Sequence, residues 1–217
     1  MIQIIPAILS TKESDFERDI ERYNNSELLW GGWVHIDFMD NLFVPNKSIE
    51  PEIVSKYPIK LYKEAHLMVL HPLGWIEKLA EAGFKRVLFH LEAADDINEC
   101  IESINSKGME VGLALNIETP VEKLNPFADK IDKVLLMSIT PGFQGNSFKR
   151  EVLEKIKETS HLRSKNEDLK IGVDGSVKDE NAKLLVDAGA DFLIVGSFLL
   201  KGDINANLEK IWEKVSS

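Results

Sequence analysis

Four residues of this 217-residue chain carry the clearest chemistry. His35 and Asp37 stand two apart in Val34-His35-Ile36-Asp37-Phe38-Met39-Asp40, so on a β-strand both side chains point to one face. A second histidine, His66, closes the run Glu64-Ala65-His66-Leu67-Met68, and a second carboxylate, Asp174, closes Gly172-Val173-Asp174. Two neutral imidazoles and two carboxylates form a mixed nitrogen and oxygen donor set suited to one divalent ion: Zn2+, Fe2+, Mn2+ or Co2+. A lone histidine or aspartate at a strand end more often caps or hydrogen-bonds than ligates. Delivery of four such groups by three strand ends favours the ligand reading.

A second set is rich in glycine. Pro141-Gly142-Phe143-Gln144-Gly145, Gly175-Ser176 and Gly196-Ser197 follow three late apolar runs, and the stretches Ser138–Phe148, Gly172–Val177 and Val195–Leu200 contain no lysine or arginine. A phosphate held there would be gripped by backbone N–H groups and a helix N-terminus. Any one of these glycines alone reads as an ordinary turn residue. Met39, Met68 and Met137 sit at or just beyond strand ends. Their type suits core packing, and beside a metal they would also keep water from a reacting carbon. His90 and Glu92 repeat the two-residue spacing and are read as rim residues making hydrogen bonds. His71, at a helix start, and His161, in a polar helical stretch, are read as capping or solvated.

The elements that must position these groups alternate along the chain. Apolar β-type runs fall at Ile2–Leu9, Trp33–Asp37, Leu61–His66, Val87–His90, Val111–Leu115, Val134–Ser138, Lys170–Val173 and Phe192–Val195. Amphipathic segments lie between them. Ser10 and Glu13 match a capping box ahead of Phe16, Ile20 and Tyr23. Pro72 and Pro120 suit a first helical turn, and the Ile97, Cys100, Ile101, Ile104 stripe stops at Gly108. Glu81-Ala82-Gly83 and Asp187-Ala188-Gly189 form a weak repeat, each predicting a helix end, a left-handed glycine and a buried strand. Eight units of about 27 residues predict a single-domain (β/α)8 TIM barrel over 1–217, with its active site at the C-terminal strand ends. A doubly wound sheet is the alternative, but no G-x-G-x-x-G follows the first strand.

Composition narrows the function classes. There are 26 lysines plus arginines against 36 aspartates plus glutamates, a formal charge of −10, which argues against nucleic acid or an anionic membrane as partner. One cysteine, Cys100, makes no intrachain disulfide. Neither a signal peptide nor a membrane span is read, so a cytoplasmic location is expected. A Schiff-base lysine is not found at the barrel mouth: Lys133 starts its strand at the wrong end, and Lys63 faces away from His66 by alternation.

Several of these runs, in order and in register from Ile4 to about Leu200, resemble the ribulose-phosphate 3-epimerase family. They are Pro6-Ala7-Ile8-Leu9-Ser10, His35-Ile36-Asp37-Phe38-Met39-Asp40, Phe43-Val44-Pro45-Asn46, His66-Leu67-Met68-Val69, Met137-Ser138, Pro141-Gly142-Phe143, Val173-Asp174-Gly175 and Val195-Gly196-Ser197. The resemblance implies an isomerase of the pentose phosphate pathway that uses one divalent metal ion to interconvert D-ribulose 5-phosphate and D-xylulose 5-phosphate. It implies His35, Asp37, His66 and Asp174 as metal ligands, and Asp37 and Asp174 as the acid/base pair acting through an enediolate. It further implies Ala7, His66, Gly142, Phe143, Gln144, Gly145, Asp174, Gly175, Ser176, Gly196 and Ser197 as substrate contacts, with Met39, Met68 and Met137 as apolar lining. The implied partner is a small phosphorylated ketose, and a homo-oligomer is compatible with the sequence.

The chain departs from the family pattern at Ala7 (commonly serine), Asn41-Leu42 (commonly Gly-His), Gln144 and Ser176 (commonly glycine) and Glu64 (commonly aspartate). Ser176 matches related epimerases of allulose 6-phosphate, so five- and six-carbon substrates stay open, as does a sugar-phosphate-binding protein without turnover. Decarboxylase and hexulose-phosphate synthase relatives carry Asp-x-Lys-x-x-Asp on the third strand. Lys63-Glu64-Ala65-His66 does not supply it.

Overall fold

The computed structural model describes residues 2–142 and 146–216. All eight apolar runs become strands: β1 (Gln3–Ile8), β2 (Trp33–Met39), β3 (Tyr62–Met68), β4 (Arg86–His90), β5 (Glu110–Leu115), β6 (Lys133–Met137), β7 (Lys170–Asp174) and β8 (Phe192–Val195). Each pairs in parallel with the next, and β8 returns to β1 through Gln3↔Phe192, Ile4↔Leu193, Ile5↔Ile194 and Pro6↔Val195. The sheet closes as a (β/α)8 barrel, which excludes the doubly wound alternative.

The helices are α1 (Glu13–Asn24), α2 (Pro51–Val54), α3 (Leu73–Glu81), α4 (Ile97–Ser106), α5 (Val152–Ser160), α6 (Asp179–Ala188), α7 (Ser197–Leu200) and α8 (Ile204–Ser216). Gly83, Gly108 and Gly189 take φ of +77°, +68° and +113° after α3, α4 and α6, which bears out the helix stops and the repeated turn. Three helix-start readings need correction. The N-cap of α1 is Lys12, with no side-chain cap, so no Ser10–Glu13 box forms. Lys12 itself is extended, Ser10 O accepts the Ile49 N–H, and the Glu13 carboxylate turns to Lys56 and Tyr57. Pro120 precedes only a 3-10 turn, Val121–Leu124. Pro126 has no N–H for the Glu122 carbonyl, so that turn does not lengthen. Pro72 itself is the N-cap of α3, one position before the first turn.

Alternation along the strands sorts side chains into two layers. One face packs Val34, Ile36, Phe38, Ala65, Leu67, Val87, Phe89 and their equivalents against the helices. The inner face carries Ile5, Ala7, Leu88, Ala114, Leu135, Phe192 and Ile194. A Cβ on Gly172 would lie 2.1 Å from the Phe192 ring, so glycine there lets Phe192 fill the interior. At the opposite end from the mouth, Arg86 and Lys133 begin their strands and are buried, with Lys133 Nζ 4.9 Å from the Phe192 ring centroid. Lys63 points outward to Ala82 O, as alternation predicts. Cys100 is buried in α4, and burial, then the Asp95, Glu99 and Asp96 charges, push its thiol up to about 12. Among the described residues, no helix is long and apolar enough to cross a membrane.

Candidate active site

The register that closes the barrel brings the four singled-out residues together. Asp37 pairs with His66 across β2 and β3, and β7 delivers Asp174 from the other side. Ligand atoms of His35, Asp37, His66 and Asp174 all lie within 4.8 Å of one another. Both histidines are wholly buried, while Asp37 and Asp174 keep 9% and 17% of their side-chain surface and open to the mouth. His35 Nε2 lies 3.3 Å from Asp37 Oδ1 and 3.9 Å from Asp174 Oδ2, yet makes no hydrogen bond. His66 Nδ1 lies 2.9 Å from Asp37 Oδ1 and 3.6 Å from Asp174 Oδ2.

Electrostatics favour a cation at this point. Burial opposes charge on His35, but Asp37 and Glu64 outweigh it and push the imidazole up to about 10. The acidic surround therefore holds positive charge between these groups, and an orphaned buried nitrogen faces it. A divalent ion bound by two imidazoles and two carboxylates meets both demands. The two carboxyls are driven apart. Burial raises Asp37, but the close approach and charge of His35 and the hydrogen bond and charge of His66 prevail and hold it far below the usual range. Burial and then the Asp37 charge raise Asp174 well above it.

The mouth cavity is lined by Ala7, Leu9, Asp37, Met68, Met137, Ile139, Gly142, Asp174, Gly175, Ser176, Gly196 and Ser197 among others. Ala7, Gly142, Gly175, Ser176, Gly196 and Ser197 thus face one space. Phe143, Gln144 and Gly145 lie outside the described residues. Met68 and Met137 line the cavity, whereas Met39 packs behind them with Val44 and Met68. His66, expected to touch substrate as well as metal, is buried behind the carboxylates. Gly142 takes φ +93° and a Cβ there would lie 2.8 Å from Val44, so the close approach of the two loops requires glycine. Ser176 adopts φ +50°, and its hydroxyl donates to Asn146 O.

Some functional neighbours are not evident from spacing. Glu64, the sequence departure on β3, accepts from His35 Nδ1 at 2.7 Å and pairs with buried Arg86. Arg86 also reaches Glu110 at 2.7 Å and lies over the Trp33 ring. Burial raises Glu64, but His35 and Arg86 outweigh it and hold the carboxylate ionised. Ser138 donates its N–H and hydroxyl to Asp174 O at 2.7 and 3.0 Å, fixing the backbone at the β7 end. His90 does make hydrogen bonds, but it is not a rim residue: it is fully buried against His66 under the Phe43 ring. β4 ends on its inward side, so the last residue of that strand points into the barrel.

Fold and donor set together define a (β/α)8 barrel with a candidate metal centre at its catalytic mouth. The model of the ribulose-phosphate 3 epimerase family matches residues 3–200, and the chain belongs to that family. It is 37% identical over 201 residues to the ribulose-phosphate 3-epimerase of Schizosaccharomyces pombe, covering 90% of this chain and 85% of that one. The enzyme of the same name from Bacillus subtilis is 38% identical over 201 residues, 91% of each chain. Among solved structures, 3-keto-L-gulonate-6-phosphate decarboxylase from Vibrio cholerae superposes with a TM-score of 0.71 at 14% identity, covering 99% of this chain and 97% of that one. That likeness concerns the fold alone.

Proposed function

We propose that this chain is an isomerase that inverts C3 of D-ribulose 5-phosphate to give D-xylulose 5-phosphate, and the reverse. One observation carries the reading: Asp37 and Asp174 flank a single donor cluster at the mouth of the barrel, with their proton affinities driven in opposite directions. Inverting a carbon beside a carbonyl needs one group to take a proton from one face and another to deliver a proton to the opposite face. Asp37, held ionised, is the acceptor in one direction, and Asp174, whose proton affinity is raised, is the donor; the roles exchange on reversal. A divalent ion held by His35, Asp37, His66 and Asp174 would supply Lewis-acid stabilisation of the negative charge that develops on the sugar oxygens. Met68 and Met137 turn apolar surface to the reacting carbon and keep water from it. The turns Gly142, Gly175-Ser176 and Gly196-Ser197 would hold the phosphate through backbone N–H groups, since they carry no basic side chain. The reading includes a cytoplasmic setting, in keeping with one buried free cysteine.

The test pairs stoichiometry with turnover. Protein loaded with Zn2+, Mn2+, Fe2+ or Co2+ is expected to bind one ion per chain and to epimerise ribulose 5-phosphate; His35→Ala and His66→Ala should each lose the ion. Unchanged metal content in both variants removes this site. Turnover of allulose 6-phosphate in preference to ribulose 5-phosphate would reassign the substrate.

A further inference from the structure

A chain of buried and half-buried groups runs away from the candidate metal centre. His66 Nε2 lies 3.1 Å from His90 Nε2. His90 Nδ1 lies 3.2 Å from Glu92 Oε2. Glu92 Oε1 accepts the Asn116 N–H at 3.0 Å and the Thr119 hydroxyl. Both imidazoles are fully buried, so water does not substitute for these contacts.

For neutral rings, as metal ligation requires, counting protons along the chain fixes each tautomer. Glu92, receiving an N–H and an O–H on one oxygen, is an acceptor for His90 on the other, so His90 carries its hydrogen on Nδ1. A neutral His90 then has a bare Nε2. Two facing ring nitrogens make a hydrogen bond only with one hydrogen between them, and that hydrogen must sit on His66 Nε2. As a neutral ligand, His66 is then left with a bare Nδ1, the atom that lies 2.9 Å from Asp37 Oδ1 and 3.6 Å from Asp174 Oδ2, where an ion would take the place of the hydrogen that joins Nδ1 to Asp37. The opposite arrangement would place the hydrogen of His66 on Nδ1, aimed into the donor cluster, and would block ligation there. His35 is set by a separate contact: as a neutral ligand it donates Nδ1–H to Glu64, and the ion takes the place of a hydrogen on Nε2. The two histidines thus present different ring nitrogens because Glu64 holds the other edge of His35 directly, while Glu92 acts on that of His66 through His90.

We propose that His90 and Glu92 are positioning residues that keep the hydrogen of His66 on Nε2 and so reserve Nδ1 for the metal ion. Neither touches the reacting atoms. The inference rests on the proposed metal site, and hydrogen-bond partners of this kind typically change metal affinity by 10–100-fold.

The experiment reads tautomers directly. Protein labelled with nitrogen-15 in its five histidines is loaded with Zn2+, and long-range proton–nitrogen spectra assign the state of each ring. His66 should carry hydrogen on Nε2 with Nδ1 bound to zinc, and His90 should carry hydrogen on Nδ1 only. Zn2+ affinity, measured by competition with a chromogenic chelator, should fall about 10–100-fold in Glu92→Gln and in His90→Phe. His90→Gln, which can still accept from His66, should recover part of the loss. A hydrogen on His90 Nε2, or zinc on His66 Nε2, overturns the inference even if the protein binds one zinc tightly. Unchanged affinity in folded Glu92→Gln and His90→Phe does the same. Wild-type protein that binds no zinc overturns both this inference and the metal site beneath it.

Discussion

Metal-loaded Asp174→Asn epimerises ribulose 5-phosphate at least about a hundredfold more slowly than wild type, the lower range for loss of a general acid or base. The substitution is isosteric, and the Asp174 carbonyl keeps its two hydrogen bonds from Ser138, so the fold and the end of β7 persist. What disappears is the group that carries a proton on one face of C3. Asp37 remains, wedged between His35 and His66, and can still remove and return a proton on its own face. The variant is therefore expected to exchange the C3 proton of one epimer with solvent while failing to invert it. Saturating metal is required in the assay, because Asp174 also belongs to the donor cluster. Near-normal turnover by the loaded variant would remove the two-base assignment.

Glu64→Ala is expected to destabilise the protein by roughly 3 kcal/mol, the lower end of what breaking a buried ion pair costs. Arg86 loses its fully buried partner and keeps only the more exposed Glu110, so the penalty stays at that end of the range. His35 Nδ1 loses its acceptor in the same step, and metal affinity should fall with stability. Urea unfolding followed alongside metal content checks both effects. Glu64→Gln keeps an acceptor for His35 and should lose less of each. An unchanged unfolding midpoint in Glu64→Ala would show that the Arg86 contact contributes nothing to the folded state.

The parts of this site legible in the sequence share one property: they follow from strand alternation read at a known end of a barrel. His35 and Asp37 face inward because they are two apart, and His66 and Asp174 join them because parallel register aligns strand ends. The same logic placed Lys63 outside. It did not place His90 correctly, because a histidine at a strand terminus looks the same whether its ring enters the barrel or reaches the rim. Arg86 at the start of β4 resembles a solvated charge until the opposing Glu64 is seen to come from another strand. The Ser10–Glu13 pattern has the spacing of a capping box, yet Ser10 is tied to Ile49 and the helix starts from Lys12. Local signals located the elements; the pairs that tune the donors join residues 22 to 29 positions apart and are set only by the closed sheet.

The most direct test is the origin of the hydrogen at C3 of the product. Metal-loaded wild-type protein is given ribulose 5-phosphate in D2O and stopped early, when little has been converted. Two carboxyls on opposite faces predict xylulose 5-phosphate carrying deuterium at C3, because the delivering group holds a solvent-derived proton rather than the one just removed. Product that retains protium at C3, or no product at all from metal-loaded protein, would contradict the account.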